Sequence, residues 1–324
     1  MNTAFKALLL ATLACSAFFR IALAEEAIKP IKTMLLTGQS NKYHNWKVSS
    51  AAIERYLQET GLFEVDVILT PPGGESMQGF SPDWSKYQVV VMDYEGAEWP
   101  EETKHSFVEY MKNGGGLVTI HAADNSFPLW AEFNKMIGVG GWGGSGLHEP
   151  PLSDKPKFQA SRNERWGPRI YWRSCEVVHD QSPGAAGHPP PHEWLLTVRN
   201  SEHPVTEGLP EVWLNGRDEL YSGLRGPAEN LDLLATGFAD PDQRGASPHN
   251  EPVFMAISYG EGRVFHSTLG HVGAGDDSNA PAINNVAYIV SLQRGTEWAA
   301  TGDVTQAVPE DFPTAYRSSY RKGE

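Results

Sequence analysis

Cysteine is almost absent: the 324 residues contain two, Cys15 and Cys175. Residues 1–24 have the three parts of a secretory signal peptide, with Lys6 leading, an apolar stretch from Ala7 to Phe19, and a small-x-small ending at Ala22-Leu23-Ala24. Cleavage near Ala24 would remove Cys15, so the mature chain from about Glu25 can form no intrachain disulfide and must be stabilised by its core. A lipobox would place Leu three residues before Cys15; Thr12 stands there, so lipidation is not expected. Cys175 follows Arg173-Ser174 without a nucleophile-like setting and reads as a packing residue.

Positive charge is also scarce. Lys and Arg number 26 against 40 Asp and Glu, for a formal charge of -14, and loss of Lys6 and Arg20 with the leader gives -14 - 2 = -16. No Lys/Arg cluster offers the basic face that displaces counterions from a polyanion, so nucleic acid is excluded as a partner. The apolar run of the leader falls short of the roughly 20 residues that cross a bilayer, so no membrane span is expected. Missing as well are a GxGxxG strand-turn-helix element, a GxxxxGK[ST] loop and an HExxH helix. No nucleotide cofactor is therefore expected.

What is present is an alternation of strand and helix. Ile31 to Thr37 reads as a strand, Asn45 to Glu59 as an amphipathic helix and Phe63 to Leu69 as a second strand. Tyr87 to Met92, with Asp93-Tyr94-Glu95 at its carboxyl end, is a third. Helix Pro100 to Asn113 has Pro at its first turn, Glu101-Glu102 at the positive end of its dipole and a glycine stop at Gly114-Gly115-Gly116. Leu117 to Ile120 follows as a fourth strand. This order implies a doubly wound, mainly parallel α/β sheet in three layers, whose ligands sit beyond the strand carboxyl ends, where Asp93 and His121 fall.

Residues 138–192 change to Gly, Pro, Trp and His and read as loops and short hairpins inserted over the sheet. Strands return at Glu193 to Val198, Leu231 to Thr236, Val253 to Ser258 and Arg263 to Ser267. Pro281 to Leu292 reads as a closing helix and Thr296 onward as a poorly regular tail. The organisation expected is a leader 1–24, one domain 25–300 and a tail 301–324.

The segment NGGGLVTIHAADNSFPLW, Asn113 to Trp130, presents His121 at an active edge, with Asp124 near enough to orient an imidazole. Further candidates are His44 after the first strand, Trp142 and His148 in the glycine-rich loop, His192-Glu193, Asp218-Glu219, Glu251, His266 and His271. Trp142 would ride on a flexible lid. His203-Pro204 reads as a turn.

The runs DYEGAEWPEETKHSFVEYMKNGGGLVTIHAADNSFPLW and GVGGWGG, the pair His203-Pro204, RDELY, Glu251-Pro252 and GRVFHSTLGH together resemble the ThuA-like (trehalose utilisation) family, over residues 31–300. The resemblance implies a class I glutamine amidotransferase-like, flavodoxin-like fold. Where those enzymes carry a nucleophilic Cys this chain has His121, so amidotransferase activity is not expected, whereas imidazole suits proton transfer or metal binding. His271 matches the region of their catalytic His.

The resemblance further implies a carbohydrate substrate, a disaccharide or its 3-keto derivative, and a functional link to a sugar oxidoreductase. His121, His271, Glu219 and Asp124 are the catalytic candidates. His44, Asp93, Trp142, His148, His192, Glu193, Asp218 and Glu251 are the substrate-binding ones. Acid–base chemistry by His and carboxylate and a divalent ion held by three such residues both fit this set, and the sequence does not choose between them. A non-catalytic sugar-binding module using Trp142, Trp172 and Trp194 as a platform is the competing reading.

Overall fold

The computed structural model describes residues 29–142, 167–182 and 186–322. The leader, Cys15 and His148 lie outside them. Eleven strands form among these residues: β1 Ile31–Thr37, β2 Phe63–Leu69, β3 Val89–Met92, β4 Gly116–Ile120, β5 Arg169–Arg173, β6 Glu176–Asp180, β7 His192–Val198, β8 Val212–Asp218, β9 Leu231–Phe238, β10 Glu251–Tyr259 and β11 Gly262–Ser267. The helices are α1 Trp46–Gln58, α2 Glu101–Lys112, α3 Ala131–Ile137, α4 Pro281–Asn284 and α5 Val286–Thr301.

Nine strands make one sheet in the order β2-β1-β3-β4-β11-β10-β9-β7-β8. The half from β2 to β11 is parallel, and the half from β11 to β8 is antiparallel. β3 and β4 are buried at every position, as strands covered on both faces must be, which is why they read as unbroken apolar runs. The doubly wound α/β reading therefore holds, with an antiparallel extension that makes the sheet mixed.

The helices complete three layers. α1 turns Ala52, Ile53, Tyr56 and Leu57 inward, an i, i+3, i+4 stripe, and with α5 covers one face. On the other face α2 contributes Phe107, Val108 and Met111, and α3 contributes Phe133, Met136 and Ile137. Gln39, Asp93, His121 and Thr268 all follow directly on the carboxyl ends of parallel strands or lie within two residues of them, so these four polar residues collect along one edge of the sheet.

Three differences from the sequence reading have physical causes. The closing helix breaks at Asn285, whose side chain caps α5 by accepting the Ala287 amide, and it then runs on to Thr301 through Gly295. A side chain at Gly295 would put its Cβ 2.0 Å from the Phe265 ring, so the glycine marks close packing against β11 and no helix end. Second, VWLNGRD forms β8, an edge strand covered by the tail: the Leu214 amide donates to the Thr314 carbonyl, and the Arg217 amide to the Tyr320 hydroxyl. Third, Ser174 and Cys175, both at positive φ, form the turn of the β5–β6 hairpin, so Cys175 is exposed and not a packing residue.

Candidate functional site

β4 ends at Ile120, and the next residue, His121, opens a 3-10 turn, His121–Asn125, at φ 46. A left-handed backbone at a non-glycine residue is strained by roughly 1–2 kcal/mol and persists only where the surroundings enforce it. The enforcing contact is the Thr268 carbonyl at the end of β11, 2.8 Å from His121 Nδ1. A carbonyl can only accept, so Nδ1 carries the proton and Nε2 presents its lone pair to the side chains around it. The neighbours of Nε2 are the Tyr221 hydroxyl at 2.9 Å, His271 Nδ1 at 3.1 Å and Glu219 Oε2 at 3.6 Å.

Three loops bring these groups together. His44 lies between β1 and α1, in a stretch stitched to the loop after β11 by a bridge from His44 to Gly273 and by the Asn45 amide to the Val272 carbonyl at 3.0 Å. His271 Nδ1 is 3.3 Å from Glu219 Oε2, and the other oxygen of Glu219 is 3.4 Å from His188 Nδ1. His188 is held over the site because Gly187 and Ser222 exchange backbone hydrogen bonds of 3.0 and 2.8 Å. Glu95, two residues past Asp93, sets an oxygen 3.4 Å from His44 Nδ1 and accepts from Asn41 at 2.6 Å.

Burial dominates the electrostatics. It drives the proton affinity of His121 well below that of free imidazole, with the nearby His271 and His44 adding to the effect. It lowers His271 to about 4, again helped by His44 and His188. Glu219 moves the other way, pushed up to about 8 by burial and then by the charge of Asp218. The contact distances alone suggest ion pairs, but an ion pair would raise the imidazole and lower the carboxyl. Burial does the reverse to both, raising the Glu219 carboxyl and lowering the His271 imidazole.

The four residues His44, His121, Glu219 and His271 each place a donor atom within 4.8 Å of the others. Of the remaining candidates, Asp218 adjoins them and is structural: its carboxylate accepts from the Glu219, Gly270 and His271 amides. Asp124 does not orient His121, a task the Thr268 carbonyl performs; its carboxylate faces His266 Nε2 at 3.6 Å with both residues fully buried. Asp93 is clamped by Ser49 and Ser50 at 2.7 Å each and fixes α1. Glu251 accepts from the Gly223 amide at 3.1 Å and from the Ser247 hydroxyl.

His192 turns to the Pro190 carbonyl at 2.9 Å, and Glu193 to Ser318 and Tyr320 of the tail, so this pair lies apart from the cluster. Trp142 is 2% exposed and donates to the Ser126 carbonyl at 3.1 Å; it is a core residue and no lid. Trp194 is buried in the core of the opposite face, so the two indoles form no common platform. Sequence reasoning passed over Glu95, Tyr221 and His188. The first two stand inside the quoted DYEG and RDELY runs, beside residues that were singled out. His188 sits in a Pro- and Gly-rich stretch that carries no periodic signal.

A three-layer α/β fold of amidotransferase-like architecture, with an imidazole–carboxylate centre at the strained turn after β4, defines the class. Residues 32–299 match the ThuA family, described as trehalose utilisation, and the chain belongs to that family. A ThuA-like protein from Parabacteroides merdae ATCC 43184 is 44% identical, with 90% of this chain covering 98% of that one at a TM-score of 0.81. A ThuA-like protein from Bacteroides uniformis ATCC 8492 shares the fold at 17% identity, 91% and 99% coverage and a TM-score of 0.55. No curated protein matches the chain.

Proposed function

We propose that this protein is an exported carbohydrate-processing enzyme that acts on a disaccharide or its 3-keto derivative at the histidine–glutamate cluster. The observation that carries the reading is the convergence of His121 Nε2, His271 Nδ1 and Glu219 Oε2 at mutual distances of 3.1, 3.3 and 3.6 Å, from three separate stretches of chain. A buried group of that kind costs stability, and fixed pairs of titratable groups are the material of proton transfer. Against a sugar-binding platform stands the burial of Trp142 and Trp194 in opposite cores.

The chemistry follows from the substrate. A carbonyl at C3 acidifies the proton on C2; when a base takes that proton, the electron pair forms the C1–C2 double bond and the glycosidic oxygen leaves with a proton. Glu219 and His188, 3.4 Å apart, stand where one can receive a proton and the other return it. Oxidation at C3 belongs to a separate oxidoreductase, since this chain carries no dinucleotide-binding turn. Among the described residues no helix is long and apolar enough to cross a membrane.

The test is incubation of the purified protein with a panel of disaccharides and their 3-keto forms, with products followed by mass spectrometry. Turnover of a keto form that disappears in His121→Ala supports the reading. Saturable binding of sugars without turnover replaces it with a binding module.

A further inference from the structure

The three imidazoles of the cluster stand at the corners of a nearly equilateral triangle. Ring centroids are 5.2 Å apart for His44 and His121, 5.2 Å for His121 and His271, and 5.3 Å for His44 and His271, all in edge-on pairs. An ion bonded at about 2.1 Å to three imidazole nitrogens lies about 3.2 Å from each ring centre, which on a tetrahedron separates the centres by about 5.3 Å. The donor atoms obey the same geometry. Their separations of 3.1, 3.3 and 3.6 Å bracket the edge of about 3.4 Å that a tetrahedron with such bonds has.

We propose that His44, His121, His271 and Glu219 bind one divalent cation of the zinc class, with His121 Nε2, His271 Nδ1 and Glu219 Oε2 among the donors. The inference deepens the proposed function, on whose site it rests. Three features outside the triangle support it. His121 Nε2 has a single lone pair, yet Tyr221, His271 and Glu219 all converge on it. The far nitrogens are held as metal-bound imidazoles are held: His121 Nδ1 by the Thr268 carbonyl, and His44 Nδ1 facing the Glu95 carboxylate at 3.4 Å, which leaves its Nε2 for the ion. Asp218 fixes the remaining two donors through the Glu219 and His271 amides.

Three imidazoles with one carboxylate suit zinc, and discriminate against magnesium and calcium, which take oxygen ligands. The side chains of His44 and His271 are 12% and 16% exposed against 4% and 8% for His121 and Glu219, so the cluster opens on the His44–His271 side. A substrate oxygen would reach the ion there, beside His188, which lies outside the donor set.

The test needs no substrate. Purified protein is stripped with chelator, loaded separately with Zn2+, Co2+ and Mg2+, desalted and assayed for bound metal and for the visible spectrum of the Co2+ form. The expected result is about one equivalent of Zn2+ or Co2+, an intense tetrahedral Co2+ spectrum and no retained Mg2+. His44→Ala and Glu219→Gln should each lose the metal while keeping a native circular dichroism spectrum, and His192→Ala should keep it. Absence of bound metal in the wild-type chain overturns the inference, as does equal retention by both cluster variants. Metal binding without sugar turnover would sink only the proposed function; sugar turnover by a wild-type chain that retains no Zn2+ or Co2+ after loading would sink only this inference.

Discussion

The Asp218 carboxylate accepts the His271 amide at 3.2 Å, although β8 and β11 are separated in the sheet by three strands, β7, β9 and β10. The contact is made by the loop that follows β11, whose residues Gly270 and His271 reach the carboxyl end of β8. The same carboxylate takes the Gly270 and Glu219 amides at 2.8 Å each, so one buried group registers Glu219 against His271.

Asp218→Asn keeps the shape and turns one acceptor oxygen into a donor facing buried N–H groups. The expected loss is about 2 kcal/mol of unfolding free energy, measured by urea denaturation. Because Glu219 and His271 are both positioned through this group, metal affinity should fall about 10- to 100-fold. A variant with normal stability and normal affinity would show that the two loops hold themselves.

His121→Gly separates strain from chemistry. Glycine adopts φ 46 without penalty, which returns roughly 1–2 kcal/mol. That offsets the lost contacts with Thr268 and Tyr221, so the midpoint of thermal unfolding should stay within a few degrees of wild type while metal binding and turnover disappear. A collapse in stability would mean that His121 is there for packing.

Most of the parallel half was legible because buried parallel strands are apolar throughout, and β1 and β2 were expected with the bounds they have. β8 was not, since VWLNGRD ends in polar residues and its burial comes from the distant tail packed along its edge. At the site, strand ends pointed to His121 and His44, and the motifs RDELY and GRVFHSTLGH pointed to Glu219 and His271. What the sequence concealed is which carboxylate serves which purpose. Asp93, Asp124, Asp218 and Glu251 share residue type and strand-end position with Glu219. Yet they are turned to Ser49 and Ser50, to His266, to backbone amides and to Ser247, a difference that only packing decides.

Trp142→Ala distinguishes a core residue from a lid. With the indole 2% exposed and its N–H bonded to the Ser126 carbonyl, the cost expected is about 3–5 kcal/mol. A lid residue would leave the urea midpoint unchanged and weaken sugar binding alone.

Glu251 ties stability to pH. Its carboxyl is pushed up to about 7 from 4.5 by burial, against the opposing pull of Ser247 and the Gly223 amide. A folded-state value above the unfolded one means the stabilisation is complete below about pH 4.5 and is lost as pH rises through 7. Glu251→Gln cannot ionise and can still accept from Gly223 while donating to the Ser247 hydroxyl. Relative to wild type, the variant should therefore gain up to about 3 kcal/mol between pH 4.5 and pH 8, read as the change in the difference between their urea unfolding free energies. Taking the difference cancels every other titrating group the two proteins share. A flat difference would place the ionisation of Glu251 outside this window, and a difference of opposite sign would require a cation beside it that ionisation stabilises.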